Sequence, residues 1–520
     1  MPVTAPAFAS DDPFGMLDAI GYFAKIQPNR PAVHDLGSGL RLSYLQFDRR
    51  IDRAAAMLDG LLGQPEGERV AYLGRNSVDL LSVHFACVRI GAIFVPLNWR
   101  LTAGEISVLI EDSRPRLLFL DEEFAPAAEG RAGVEQVLPT DLAGFEALLA
   151  AAPERPSRPR PARADQPSTL LYTSGTTGKP KGVIVTERGA FASTLNFSLC
   201  TRLDASSVML CDMPLFHVAG LMSGARAPLS MGGSVLISPR FEPELALTRL
   251  SDPTLGVTHT FYVTQMTQIL REHPAYARAD LSRLVCMTTG GAPNPAANVQ
   301  RWLDDGVIMA DGFGMSEVGS AFNMPIDDAD LIRRKVGSSG LPLITLKFRL
   351  VGPDGEEAAP MQVGELRLKG PSVTLGYWNQ AQATAAAFDE AGWFKTGDLA
   401  YADEDGFIFL VDRLKDMFIS GGENVYPTEI EAIIAELDAV SEAAVIAIPD
   451  AQWGEVGLAY VVPVPGMIVT PEQVTAHVKS RLARYKAPKE VIISQSLPRT
   501  ASGKLQKNLL RERRLKETGG

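Results

Sequence analysis

Short apolar runs alternate with longer amphipathic stretches along most of this chain. Arg69-Val-Ala-Tyr-Leu73 reads as a strand, Ser77 to Arg89 as the helix that follows it, and Arg116-Leu-Leu-Phe-Leu120 as a second strand. Strand–helix alternation of this kind predicts α/β layers built mainly on parallel sheets. Two breaks interrupt the pattern. The segment Pro153 to Pro167 is rich in proline, arginine and alanine, and such a composition reads as a stiff surface connection feeding the strand Thr169–Tyr172. The charged run Asp412-Arg-Leu-Lys-Asp416 separates the apolar strand Phe407–Val411 from the apolar piece Met417–Ile419. Beyond it the pattern predicts a helix over Pro427–Leu437, strands over Ala443–Ile448 and Gly457–Val462, a helix over Pro471–Arg484 and a strand over Glu490–Ser494. That is enough for a small independent α/β domain.

The division into residues 1–411, a joint at 412–416 and a lid at 417–520 is therefore the expected organisation. Size agrees, because 520 residues exceed what one compact core holds. The formal net charge of −11 argues against a general nucleic-acid binder, whose footprint is basic. Cys87, Cys200, Cys211 and Cys286 are scattered without C-x-x-C spacing, which reads as reduced thiols of a cytoplasmic protein. Met1 to Asp12 has no apolar core of a secretory signal, and no apolar run is long enough to cross a membrane.

Composition leaves the chemistry open; one loop narrows it. Tyr172-Thr-Ser-Gly-Thr-Thr-Gly-Lys-Pro-Lys-Gly-Val183 packs three glycines, four serine or threonine hydroxyls and two lysines into twelve positions. Glycines let backbone N–H groups approach an anion, hydroxyls add donors and lysines add charge. The spacing is not that of a Walker loop. Flanking apolar strands, Thr169–Tyr172 and Gly182–Val185, argue against a plain linker.

From this loop onward the sequence resembles the adenylate-forming enzymes: acyl-CoA synthetases, peptide-synthetase adenylation domains and beetle luciferases. Further signatures occur in order: Pro214-Leu-Phe-His-Val-Ala-Gly220, Thr289-Gly-Gly-Ala-Pro293, Asp311-Gly-Phe-Gly-Met-Ser-Glu317, Trp393-Phe-Lys-Thr-Gly-Asp398, the joint Asp412–Asp416, Gly421-Gly-Glu-Asn-Val-Tyr-Pro427 and Pro498-Arg-Thr-Ala-Ser-Gly-Lys504. Together they cover roughly residues 30 to 510. The resemblance implies a large N-terminal domain of sheets flanked by helices with a barrel-like subdomain, followed by a small mobile α/β domain.

It also implies an ATP-dependent acyl-CoA ligase that uses Mg²⁺ and CoA. A carboxylate is already ionised at neutral pH, so the difficulty is electrostatic: two anions must meet and pyrophosphate must leave. By the match, Thr173, Ser174, Gly175, Thr176, Thr177, Gly178, Lys179 and Lys181 cradle the β- and γ-phosphates. Thr173 and Glu317 hold Mg²⁺, oxygen ligands that suit a hard cation. Gly290, Gly291 and Ala292 frame adenine together with Asp311, Gly312 and Phe313; the last is often tyrosine in relatives, and phenylalanine keeps the stacking face without the hydroxyl. Met315, Ser316 and Phe409 complete this set, and Asp398 with Arg413 takes the ribose. Lys504 is expected to reach the α-phosphate and acyl carboxylate and to neutralise charge that grows in the transition state. Lys415 stands at the pivot of a hinge, and Gly421, Gly422 and Glu423 swap in to shape a tunnel for the CoA thiol.

For the acid, the candidates are His217, Phe261, Tyr262, Gly290 and Gly314. His217 reads as a polar wall or gate rather than a base; taken alone, such a histidine is more often a core group. Amino-acid-activating relatives carry an aspartate near the Pro-Leu-Phe motif. His217, Val218 and Ala219 stand there instead, which disfavours an amino-acid substrate. Arg226 is the one cation in reach for a second carboxylate, and a lone arginine is more often paired or exposed. The expected substrate is a monocarboxylate, either aromatic (benzoate or hydroxycinnamate type) or a medium- to long-chain fatty acid. The alternatives are an enzyme that loads a carrier protein, a luciferase-like oxidative enzyme and a catalytically dead binding protein. The chain is expected to act on small molecules in the cytoplasm, without nucleic acid, with a homodimer left open.

Overall fold

The structure is a computed structural model that describes residues 18–128, 133–154, 164–173, 180–292, 294–499 and 505–517. The chain divides into two compact units. The first runs to Lys347 and includes Leu368–Phe394; the second takes Phe348–Arg367 and the chain from Lys395 onward. The joint at 412–416 thus falls inside the second unit.

Two sheets build the first unit. One has six strands in the spatial order Gln136–Pro139, Leu117–Leu120, Arg69–Leu73, Ile93–Pro96, Pro167–Thr173 and Lys181–Thr186, all parallel except the last antiparallel pair. The other has nine, with six parallel strands at its centre: Met309–Met315, Cys286–Thr289, His259–Tyr262, Val208–Cys211, Ser234–Ile237 and Pro31–Asp35. The helices Tyr44–Leu62 and Val78–Ile90 share one apolar cluster with Val70 and Phe94 of the first sheet and Val33, Val235 and Ile237 of the second. Burying a valine- or leucine-sized side chain contributes about 1.5–3 kcal/mol, so this shared cluster ties the two sheets together. The expected helix at Ser77 begins with the Ser77 hydroxyl accepting from Leu80 N–H, and it ends at Gly91 in the left-handed conformation.

The second unit holds a four-stranded sheet, Lys347–Val351, Gly364–Lys369, Phe394–Ala402 and Ile408–Arg413, where the resemblance implied a barrel-like piece. It also holds a five-stranded sheet built on the long hairpin Val440–Asp450 and Gly454–Pro463. Side chains alternate across a strand. Val445 and Val461 face the helices Pro427–Ile434 and Pro471–Arg481, whereas Ala444, Ile446 and Tyr460 pack with Leu510 of the C-terminal helix Lys507–Glu517. The expected strand Phe407–Val411 runs on to Arg413, so Asp412 and Arg413 lie on a strand end rather than in a free joint.

Candidate active site

Thr173 ends one strand and pairs in register with Lys181, which begins the next. Ser174 to Lys179, between them, lie outside the described residues. Lys181 places its ammonium 4.6 Å from the centre of the Tyr377 ring. The hydroxyl of that ring donates to Glu317 Oε1 at 3.1 Å. Burial, and then the charge of Glu317, push the Tyr377 phenol upward, so it keeps its proton and remains a donor. Backbone bonds fix the same node: Thr374 N–H donates to Glu317 O at 2.7 Å and Trp378 N–H to Gly182 O at 2.8 Å. The Thr374 hydroxyl donates to Ile184 O at 2.7 Å. One stretch, 374–378, thus joins the end of the phosphate loop to the candidate Mg²⁺ carboxylate.

Asp311 lies beside Thr289 in the parallel register of Cys286–Thr289 with Met309–Met315. Its Oδ1 accepts from Asn294 Nδ2 at 2.7 Å and from the Thr289 hydroxyl. Burial pushes the carboxyl up to about 6, opposed only by these neutral donors. The strand then folds back antiparallel on Gly319–Asn323. At Gly314 the approach is so close that a Cβ would sit 2.5 Å from Gly319 O, so the position admits only glycine. Phe313 packs its ring 6.0 Å from that of Phe322. Gly290 lies near Gly312 O and the Phe261 ring; Gly291 and Ala292 are exposed.

His217 stands at the start of the helical run Ala219–Arg226, a π-helix continued by Ala227–Ser230. Its ring lies 4.6 Å from Phe216, which meets Trp99 edge to face at 6.2 Å. The loop before it is held by Asn76: Nδ2 donates to Met213 O and Ser238 O at 2.9 and 3.0 Å, and Oδ1 accepts from Leu215 N–H at 2.8 Å. Phe261 and Tyr262 point to opposite faces of their strand. Phe261 meets Phe197, whereas the fully buried Tyr262 packs on Phe241 and donates its hydroxyl to Asp212 at 2.7 Å. Only Phe261 is therefore brought beside Gly290. Arg226 is paired: its guanidinium reaches Glu187 at 2.6 and 3.1 Å.

Within the second unit, Asp398 and Arg413 face each other across the antiparallel pair with the guanidinium 3.1 Å from the carboxylate. Phe409 stacks flat on Tyr401, with ring centres 5.0 Å apart. Partial desolvation lowers the Lys415 ammonium below the usual lysine range. On either side, Asp412 accepts from Thr428 N–H at 2.9 Å and Asp416 pairs with Arg511 at 2.6 Å. Gly421 and Gly422, with φ of 61° and 90°, turn a hairpin in which Ser420 pairs with Glu423. Two left-handed central residues are what such a turn requires. A Cβ at Gly421 would also sit 2.6 Å from the Trp453 ring.

A family model described as AMP-binding enzyme matches residues 22–378, and the AMP-binding enzyme C-terminal domain matches residues 429–504. The chain belongs to the AMP-binding enzymes, the adenylate-forming superfamily. It is 38% identical over 490 residues to a feruloyl-CoA synthase of an Amycolatopsis species, spanning 94% of this chain and 97% of the relative. It is 36% identical over 481 residues to indoleacetate–CoA ligase of Aromatoleum aromaticum, spanning 91% and 93%. Among solved structures, ATP-bound MatB from Rhodopseudomonas palustris superposes with a TM-score of 0.86 at 30% identity, over 95% of this chain and 98% of that one. O-succinylbenzoate CoA synthetase from Bacillus subtilis, with ATP and magnesium, gives 0.85 at 30% identity over 95% and 99%.

This AMP-binding enzyme is accordingly an AMP-forming acid–thiol ligase that uses ATP, Mg²⁺ and CoA. The donor set agrees with the ion. No group of three or more metal-ligating side chains occurs among the described residues, and Mg²⁺ is commonly held by one or two carboxylates plus substrate phosphates. Glu317, buried and oriented by Tyr377, is a carboxylate that would fit such a site. Lys504 lies outside the described residues. Among the described residues no helix is long and apolar enough to cross a membrane. Sequence reading missed Tyr377, Asn76, Asn294 and Glu187. Tyr377, Asn76 and Glu187 meet partners far along the chain, and Asn294 meets Asp311 from a neighbouring loop; no local pattern marks such pairs.

Proposed function

We propose that the enzyme activates an aromatic or a medium- to long-chain fatty monocarboxylic acid as its acyl-adenylate and passes the acyl group to CoA. The carboxylate oxygen attacks the α-phosphorus, the bond to the pyrophosphate oxygen breaks, and the CoA sulfur then displaces AMP from the acyl carbon. The observation that carries the reading is the Lys181–Tyr377–Glu317 node: one tyrosine holds a cation over its ring and a carboxylate at its hydroxyl where the phosphate loop ends. Thr173 and Lys181 bind the β- and γ-phosphates, and Asp311, Gly312 and Phe313 bind adenine. Asp398 and Arg413 bind the ribose. Glu317 and Thr173 would hold Mg²⁺, which would supply charge neutralisation for the phosphates. His217 bounds the carboxylate end of the acid, with Phe261 and Gly290 beside it.

Lys504 neutralises the charge at the α-phosphate, and residues 412–416, pivoting at Lys415, let the small domain trade Lys504 for Gly421, Gly422 and Glu423 in the thioester step. The relatives named for feruloyl and indoleacetyl transfer to CoA support an aromatic acid. The ligase named for loading an acyl-carrier protein keeps a carrier as the competing acceptor. Isotope exchange between pyrophosphate and ATP across aromatic and fatty acids, without CoA, tests the first step. Acid-dependent exchange is expected, nearly abolished in Lys504→Ala. An acid-independent or absent exchange overturns the reading.

A further inference from the structure

Three buried ionisable groups have no part in the chemistry above: Glu187, Arg226 and His84. Glu187 opens the helix Glu187–Thr201, and Arg226 closes the π-helical run that begins beside His217. The two side chains are each only 8% exposed and meet at 2.6 Å. The guanidinium also donates to His84 Nε2 at 2.9 Å and lies over the Phe85 ring at 5.3 Å. Burial, and then the positive charge of Arg226, hold the His84 imidazole well below the usual histidine range. The ring is neutral, and Nε2 is the acceptor because a guanidinium can only donate.

Two clefts follow one another along the same helical run. The first is lined by Val218 and Met222 together with Gly189, Ser193, Ser316 and Gly319, so it begins at the neighbours of His217 and Glu317. The second is lined by Leu229, Ser230, Phe85 and Phe191. Glu187 and Arg226 line the second cleft too, with Asp18 and Arg89 on its far side; Val218 and Met222 line the first, and Arg226 follows Met222 by one further helical turn, next in the same spacing. Arg226 lies nine residues beyond His217. At or slightly under the helical rise of ~1.5 Å per residue, that distance is about 11–13 Å. An extended acid of roughly nine or ten carbons, at about 1.3 Å per bond along its axis, spans the same length.

We propose that the Glu187–Arg226 ion pair, backed by His84, is the end wall of the acyl cleft and a specificity-determining element. It admits apolar monocarboxylates up to about ten carbons in length and stops longer chains. A longer apolar tail has to displace a bidentate, desolvated ion pair, which breaks strong charge-assisted bonds and leaves both charges unpaired. Glu187 also occupies the guanidinium where an acid with a second carboxylate would seek it. This rests on the proposed function, because it takes His217 as the carboxylate end of the acid.

The test is a length series on the full-length enzyme: straight-chain acids of four to sixteen carbons and cinnamic acids carrying 4-alkoxy tails of increasing length, with kcat/KM read from pyrophosphate release. In the wild type, kcat/KM is expected to fall at least tenfold once the acid exceeds about ten carbons in extended length. In the double variant Glu187→Leu/Arg226→Leu the cut-off moves to longer acids by several carbons, and the KM for ATP stays within about twofold. Arg226→Lys keeps a charge at the wall and keeps the wild-type cut-off. Equal wild-type turnover of decanoate and hexadecanoate overturns the inference, and so does an unchanged cut-off in a folded double variant that still binds ATP. Should the double variant not fold, the wild-type profile alone decides. Release from no acid at all sinks the proposed function instead, a different result from release without a length limit.

Discussion

Two arginine–carboxylate pairs in this molecule share a chemistry and differ in burial. Arg226 and Glu187 are each 8% exposed at the side chain, whereas Arg413 is 48% exposed opposite a 10% exposed Asp398. A fully desolvated pair is costly to break and contributes little that an apolar pair would not. A half-solvated pair holds its geometry loosely, contributes little to stability and leaves donors free to turn to a ligand. The first suits a wall and the second suits a nucleotide contact. Asp311 is a third case: a partly buried carboxyl held by Asn294 and Thr289, with no cation among the causes of its shift.

The largest expected effect breaks the buried pair on one side only. Arg226→Ala leaves Glu187 buried without its cation and should lower the unfolding free energy by about 3–5 kcal/mol. Replacing both partners with leucine should be near neutral. Denaturant titrations of the two variants measure the contrast, and equal losses would mean that the pair acts as two independent residues.

Next in size is the phosphate node. Tyr377→Phe keeps the ring under Lys181 and removes the donor to Glu317, a bond to a charged group worth about 1.5–3 kcal/mol. At 1.36 kcal/mol per tenfold, kcat/KM for ATP should fall about 10–100-fold. Tyr377→Ala also removes the cation–π contact, a further ~0.5–2 kcal/mol. A Phe variant at wild-type activity would show that the hydroxyl does not orient Glu317.

Asp311 gives a pH signature of opposite sign to that of a salt-bridged carboxylate. Its folded pKa, about 6, lies above the ordinary 3.8. The native state therefore holds this proton more tightly, and the associated stability is present below about pH 4 and lost as pH rises through about 6. In Asp311→Asn that decline disappears, so the stability difference between wild type and variant should shrink or reverse from pH 4.5 to pH 7. A pH-independent difference would place the Asp311 proton elsewhere. The smallest effect belongs to the exposed pair. Arg413→Ala should cost no more than about 1 kcal/mol of stability while raising the KM for ATP, and a large loss of stability with an unchanged KM would reverse its assignment.

Much of the fold was legible because it is written in local periodicity. The strand Arg69–Leu73 is found at its expected bounds, and the helix at Ser77 begins on its capping hydroxyl. Strand ends were less legible: Val440–Asp450 outruns the expected Ala443–Ile448, because a long antiparallel hairpin keeps pairing after its apolar alternation fades. In the site, motif residues such as Glu317 and Asp398 carry their own signal. The groups that orient them do not. Tyr377 stands sixty residues from Glu317, and Asn76 lies more than a hundred from the loop it holds. Such pairings are decided by the packing of distant segments, and a lone arginine such as Arg226 shows its partner only in three dimensions.

The central claim is that one carboxylic acid is joined to CoA through an adenylate, and product stoichiometry tests it most directly. The wild-type enzyme with ATP, Mg²⁺, CoA and a 3-arylpropenoic acid or decanoic acid is followed by chromatography of all products. Equal amounts of pyrophosphate, AMP and acyl-CoA thioester are expected, with no ADP. Thioester formed with ADP and phosphate, or AMP and pyrophosphate released without thioester while CoA is present, would contradict it.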